Sequence, residues 1–313
     1  MASAVCCRFS PVSRLSAVVV LCLLAIAPGL RAENGIVLKS DVAFLGADRK
    51  EKLDAYLPSA EFPRPRAAVI FIHGGGWSGG SKSDARSREF CTALAERGYV
   101  AFSIDYLLNK ASKDEAGKTR FDSVAWPQNF LDCKTAVRFV RRHAAEFGVD
   151  PARIAVMGAS AGAHLALLVA ATEDSGHWNK GGLYPEESNA VSAVIEFYGR
   201  CDVTQDRRPH FAGATPEETE ANVVAASPLT HLTSGMPPVL AVQGAADTIV
   251  PVSYGRRLAA RLKELDVPCE YIEIPGAEHS FGFTPPQKDL RPEVFAFLEK
   301  YLGPTQSGEK KQD

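Results

Sequence analysis

A serine bracketed by two glycines is the first place in this chain where chemistry is legible. The apolar run Ile154-Ala155-Val156-Met157 passes into Gly158-Ala159-Ser160-Ala161-Gly162 and then into Ala163-His164-Leu165, a segment suited to a helix. A strand that crosses Gly-x-Ser-x-Gly into a helix has the pattern of a nucleophile elbow, which holds its serine in a strained conformation at the turn. Gly158 and Gly162 supply the smallness such a turn needs. The amide of Ala161, first in the helix, would point to where a carbonyl oxygen becomes an anion. The implied chemistry is attack of the Ser160 hydroxyl on a carbonyl carbon.

A serine hydroxyl is a poor nucleophile at neutral pH, so it needs a base to take its proton and a group to orient that base. The candidate acid is Asp247, in Val242-Gln243-Gly244-Ala245-Ala246-Asp247-Thr248, and the candidate base is His279, in Gly276-Ala277-Glu278-His279-Ser280-Phe281. Each directly follows a strand-type run. Taken alone, Asp247 also suits a turn. Of the other histidines, His73 belongs to a glycine-rich loop, His164 falls one turn up the helix after Ser160, and His143 reads as a solvated helix residue. His177, His210 and His231 sit in loops without a motif.

A fourth element is His73-Gly74-Gly75-Gly76-Trp77, after the run Ala67–Ile72. Consecutive glycines let backbone amides face a substrate where side chains would block approach. Such a loop can also cradle phosphate, but the Gly-Lys-Ser/Thr of a P-loop is missing here.

These residues need a frame that brings strand ends together. From Arg66 onward, β-type runs at Ala67–Ile72, Tyr99–Ile104, Arg153–Gly158, Val191–Tyr198, Pro238–Gln243 and Cys269–Ile274 alternate with helical patterns. The helical patterns span Asp84–Arg97, Gln128–Phe147, Ser160–Ala171, Val252–Glu264 and Pro292–Leu302. That alternation predicts an α/β fold with a mostly parallel sheet covered on both faces. Ile36–Phe44 and Lys52–Leu57 read as an antiparallel pair leading into it. Thr172–Asn189 and Asp202–Ser234, with a short acidic helix near Pro216–Asn222, break the alternation and are candidates for substrate-contacting loops or a small cap. Trp77, Trp178 and Tyr184 are candidates to stack on a sugar or aryl group, although Trp77 and Trp126 also suit packing beneath a pocket. Arg207 and Arg208 read as a solvated loop or as a contact to an acidic sugar.

The first 32 residues, with Arg8 and Arg14 before an apolar stretch from Leu15 to Ala27 and then Pro28-Gly29-Leu30-Arg31-Ala32, read as a signal peptide. The run is shorter than the roughly 20 apolar residues of a spanning helix. The expectation is therefore export to the periplasm or beyond, without stable membrane association after cleavage; the alternative is a leader retained as an uncleaved anchor. Removing Arg8, Arg14 and Arg31 from the 35 basic side chains, and none of the 37 acidic ones, leaves a formal charge of −5, which does not suit a nucleic-acid partner. Residues 33–303 are expected to form one catalytic domain, followed by a polar, disordered tail at 304–313. Four cysteines remain after the leader, Cys91, Cys133, Cys201 and Cys269. That even number in an oxidising compartment allows one bridge; the alternative is that Cys91 and Cys133 are buried free thiols. Oligomeric state is left open by the sequence.

These residues together resemble the α/β-hydrolase superfamily, in its branch with His-Gly-Gly-Gly loops. That branch includes hormone-sensitive-lipase-like esterases and bacterial feruloyl and acetyl esterases acting on plant polysaccharides. The resemblance spans roughly residues 36–302. It includes Asp105-Tyr106, Trp126-Pro127-Gln128-Asn129-Phe130-Leu131-Asp132, Gly148-Val149-Asp150-Pro151-Ala152-Arg153-Ile154 and Phe197-Tyr198-Gly199-Arg200-Cys201-Asp202. It implies a sheet of about eight strands with a small cap or none, and a triad in the order Ser160, Asp247, His279. It also implies oxyanion donors at Gly75 and Gly76 beside Ala161, and a loop-holding role for Asp132. Ala159 and Gly162-Ala163 depart from many relatives, which have a polar residue before the serine and two glycines after it.

The resulting expectation is an exported serine hydrolase of carboxylic esters, acting on acetyl or feruloyl groups of carbohydrate and needing no cofactor. The alternatives are a prolyl-oligopeptidase-type peptidase, an arylformamidase, and a non-catalytic binding module on the same fold.

Overall fold

The computed structural model describes residue 1 and residues 35–117, 119–204 and 209–305. All but the first residue of the leader assigned to residues 1–32, Arg207 and Arg208, and positions 306–313 of the tail lie outside the described residues.

The chain opens with β1 (Val37–Val42) and β2 (Leu53–Leu57), an antiparallel pair as the sequence predicts. Then follow β3 (Arg66–Ile72), α1 (Ala85–Glu96), β4 (Val100–Ile104), a hairpin of β5 (Lys110–Lys113) and β6 (Thr119–Ser123), α2 (Gln128–Arg142) and α3 (Ala144–Phe147). The second half runs through β7 (Val149–Ala159), α4 (Ala161–Ala171), β8 (Ala193–Phe197), α5 (Pro216–Ala225), β9 (Val239–Gly244), α6 (Ser253–Glu264), β10 (Cys269–Ile274) and α7 (Arg291–Leu302). Eight strands form one sheet in the order β1-β2-β4-β3-β7-β8-β9-β10, parallel from β4 to β10.

Side-chain alternation explains why this sheet is covered twice. Along β3, Ala68, Ile70 and Ile72 enter one apolar cluster while Ala67, Val69 and Phe71 enter the other. Phe90 and Leu94 of α1 and Phe297 and Leu298 of α7 pack on the second face; Phe130 of α2, Leu165 of α4 and Leu258 of α6 pack on the first. Both faces being buried turns the parallel strands into near-continuous apolar runs. Among the described residues no helix is long and apolar enough to cross a membrane.

Two features differ from the expectation. The single helix expected over Gln128–Phe147 breaks at His143 into α2 and α3. The β5–β6 hairpin has no counterpart in the pattern reading, because nearly all of its side chains are exposed and it has no apolar alternation. Of the two readings of the cysteines the free-thiol one holds: Cys91, Cys133, Cys201 and Cys269 are free thiols, the first three buried.

Candidate active site

The turn between β7 and α4 consists of Ser160 alone, at φ 54° and ψ −117°. L-residues occupy that region only when the surroundings enforce it. Here they do, because a Cβ on Gly158 would lie 2.3 Å from the Gly162 carbonyl oxygen, and one on Gly162 would lie 2.0 Å from the oxygen of Ile72. The absence of side chains lets strand, turn and neighbouring strand close together, leaving the hydroxyl at the carboxyl edge of the sheet.

His279 enters from the loop after β10 and Asp247 from the loop after β9, its parallel neighbour. His279 Nε2 lies 3.0 Å from Ser160 Oγ, and His279 Nδ1 lies 2.6 Å from Asp247 Oδ2. The Asp247 side chain is fully buried, whereas 13% of the His279 side chain is exposed. The carboxylate is held by four donors: Oδ1 accepts from the amides of Ile249 and Val250, and Oδ2 accepts from Gln243 Nε2 as well as facing the imidazole. Arg200 Nη2 donates to the Ile249 carbonyl at 2.6 Å, bracing the same loop from the exit of β8.

The histidine loop has its own supports. Tyr198, directly after β8, meets the His279 ring edge-on at 4.8 Å between centroids, and its hydroxyl donates to the Phe281 carbonyl at 2.6 Å. Glu89 on α1 accepts from the amide of Phe283. Tyr198 and Glu89 have no local sequence signal for these roles, since each acts on a loop far away in the chain, whereas Gln243 lies only four residues before the Asp247 it grips.

The amide of Ala161 is the first of α4 and so has no carbonyl four residues back within the helix. Among the described residues no turn or loop hydrogen bond takes up the amide of Gly75 or Gly76, and both glycines are exposed. Gly75 has φ 108°, and a Cβ there would lie 2.2 Å from the Gly79 carbonyl oxygen. The loop is anchored at its start by His73, stacked on Tyr106 at 4.4 Å with Nδ1 donating to the Gly74 carbonyl. Burial lowers the His73 pKa, keeping the ring neutral.

The aromatic candidates fall elsewhere than expected. Trp77 is 2% exposed, packed among His164, His210 and Phe211, so its ring fills space beside the loop instead of lining it. Trp178 packs on Trp126 and Phe130 at the first turn of α2, and Trp126 with Phe211 stands between it and Trp77. Tyr184 packs on Phe139 and under Arg142, at the far end of α2 and the opposite edge of the sheet from Ser160. The structure thus gives Trp77 and Tyr184 packing contacts away from the serine, and holds Trp178, partly buried, against Trp126 and Phe130. Thr172–Asn189 follows α4, which runs back from Ser160 to that opposite edge. The Asp202–Ser234 segment, in contrast, covers the loop through Phe211. Asp132 holds loops as the resemblance implied: Arg49 grips both of its oxygens, which also accept from Gln128 and from the amide of Leu107.

A parallel sheet with this strand order, a serine on a strained strand-to-helix turn, and an acid and a histidine delivered from the next strand ends define the α/β-hydrolase class. The chain belongs to the BD-FAE family, whose model matches residues 53–262. It is similar to the esterase LipC of Mycobacterium tuberculosis, 31% identical over 250 residues, which cover 75% of this chain and 58% of that protein. This chain thus spans under two thirds of the length of that curated relative. Among solved structures, the thermophilic esterase Est2 of Thermogutta terrifontis matches with a TM-score of 0.68 and 29% identity, covering 88% of this chain and 95% of that one. A truncated carbohydrate esterase from gut microbiota matches with a TM-score of 0.72 at 22% identity, covering 88% and 99%, a likeness of fold.

Proposed function

We propose that this protein is an exported serine esterase that hydrolyses carboxylic esters through an acyl-enzyme. The observation that carries the reading is the unbroken hydrogen-bonded line from Ser160 Oγ through His279 to Asp247 Oδ2. Ser160 Oγ attacks the ester carbonyl carbon while His279 Nε2 takes its proton. Asp247 fixes the imidazole with its proton on Nδ1 and stabilises the imidazolium that forms. The amides of Gly75, Gly76 and Ala161 receive the developing oxyanion, each worth on the order of 3 kcal/mol of transition-state stabilisation. His279 then protonates the departing alcohol oxygen as its bond to the carbonyl carbon breaks. Water, deprotonated by the same imidazole, attacks the acyl-serine and releases the acid.

The substrate is an acetyl or feruloyl ester of carbohydrate. Support comes from the leader-like residues 1–32 and from the resemblance of the glycine loop and the serine turn to the branch that includes acetyl and feruloyl esterases. Trp77 and Phe211 pack together beside the glycine loop. The test is a panel of p-nitrophenyl acetate, butyrate and octanoate, methyl ferulate, acetylated xylan and an aminoacyl-proline amide. Wild type and Ser160→Ala are assayed side by side. Serine-dependent release from acetylated xylan or ferulate is expected; serine-dependent cleavage confined to the amide would make the protein a peptidase, and no turnover by wild type would make it a binding module.

A further inference from the structure

Three successive glycines have no side chains with which to hold themselves in place, so the positions of the Gly75 and Gly76 amides are inherited from the residues on either side. On the C-terminal side that residue is Trp77, at φ 57°. Its carbonyl accepts from the amide of Asn109 at 2.8 Å, and its indole Nε1 donates to Nδ1 of His164 at 3.2 Å. His164 is fully buried on α4, one turn beyond Ser160. Its second nitrogen, Nε2, lies 2.7 Å from the carbonyl oxygen of Ala226, at the end of α5 in the segment that covers the loop.

The chemistry of the partners fixes the state of this imidazole. An indole N–H can only donate and a carbonyl oxygen can only accept, so Nδ1 must carry the lone pair and Nε2 the proton. A single neutral tautomer satisfies both contacts, and burial lowers the pKa to about 4, which keeps that tautomer at working pH. One side chain therefore joins the glycine loop, the nucleophile's helix and the covering segment.

We infer that His164 is a positioning residue for the oxyanion hole: through Trp77 it holds the amides of Gly75 and Gly76 in register with Ser160, without touching the substrate. This rests on the esterase reading of the site.

The test uses four variants of the full chain: His164→Phe, which keeps a ring and loses both hydrogen bonds; His164→Gln, which keeps one acceptor and one donor; Trp77→Phe; and the double variant Trp77→Phe/His164→Phe. For His164→Phe, kcat on p-nitrophenyl acetate is expected to fall about 10- to 100-fold, part of the loss caused by removing a donor outright, with KM within about twofold. Affinity for a trifluoromethyl ketone, whose adduct with Ser160 carries an oxyanion, should fall by a similar factor. His164→Gln should recover most of both, and the double variant should lose no more than the worse single one. Unchanged kcat and ketone affinity in His164→Phe, a loss carried wholly by KM, or additive losses in the double variant would overturn the inference. If His164→Phe does not fold, Trp77→Phe and His164→Gln decide: a kcat loss in the first and near-wild-type kcat in the second support it, and the reverse overturns it. Wild-type turnover as slow as that of Ser160→Ala would instead remove the esterase reading beneath it.

Discussion

Gln243 Nε2 donates to Asp247 Oδ2 at 3.1 Å, so the oxygen that faces His279 is also gripped from within β9. The other oxygen is occupied by the amides of Ile249 and Val250, at 2.9 and 2.8 Å. Every contact of this carboxylate is with a donor, and the two backbone donors cannot turn away.

Asp247→Asn follows from that arrangement. The new amide must keep its oxygen on the two backbone N–H groups, which points its NH2 at both Gln243 Nε2 and His279 Nδ1. His279 would then accept at Nδ1 and carry its proton on Nε2, facing Ser160 with no free lone pair. We expect kcat on p-nitrophenyl acetate to fall by roughly 10⁴-fold, with KM changed little. A loss below about tenfold would show that the acid does not set the tautomer.

Glu196 on β8 gives a dependence on pH that is independent of catalysis. It is completely buried, with Oε2 accepting from the amide of Gly199 at 2.7 Å, and burial raises its pKa to about 8. In the unfolded chain a glutamate ionises near 4.3. Between those values the unfolded state binds fewer protons than the folded one, so this contribution to stability is complete below about 4.3 and is lost as pH rises through about 8. Glu196→Gln, neutral at every pH, should melt at a higher temperature than wild type at pH 9 and show a shallower decline from pH 6 to 9. Parallel melting curves across that range would refute the assignment.

Gly162→Ala tests the close approach at the elbow. Its Cβ would collide with the backbone oxygen of Ile72, which cannot rotate away as a side chain would. A destabilisation of about 1–3 kcal/mol is expected from such overpacking, measured by urea unfolding, together with loss of esterase activity. The same substitution at Gly76, where a Cβ meets nothing within 4 Å, should cost only the strain of its φ of 61°. Equal unfolding midpoints for Gly162→Ala and wild type would contradict the packing described.

The parts of the site that were legible in the sequence are those that backbone placement alone decides. Ser160 and Asp247 each follow a strand with a continuous apolar run, and His279 one with β-type alternation, so their meeting at one sheet edge follows from parallel topology. What could not be read was whatever depends on contacts between remote segments. Tyr198 reads as an aromatic beside a strand, and Glu89 as a polar residue of a helix, until the fold sets both against the His279 loop. Tyr184 lies away from the serine because its segment leaves the far end of α4 and runs along α2, where a segment leaving a strand's carboxyl end would face the site. The β5–β6 hairpin has no sequence signature because a ribbon exposed on both sides has no apolar periodicity.

The most direct measurement is the site of covalent capture by diethyl p-nitrophenyl phosphate, whose phosphorus is attacked by an activated serine with release of p-nitrophenolate. Peptide mass spectrometry of the treated full chain should find one diethylphosphoryl group, on Ser160. That label should be absent from Ser160→Ala and slowed by at least about 1,000-fold in His279→Ala. A folded wild-type protein with Ser160 unmodified, or labelled equally fast without His279, would contradict the triad on which the account rests.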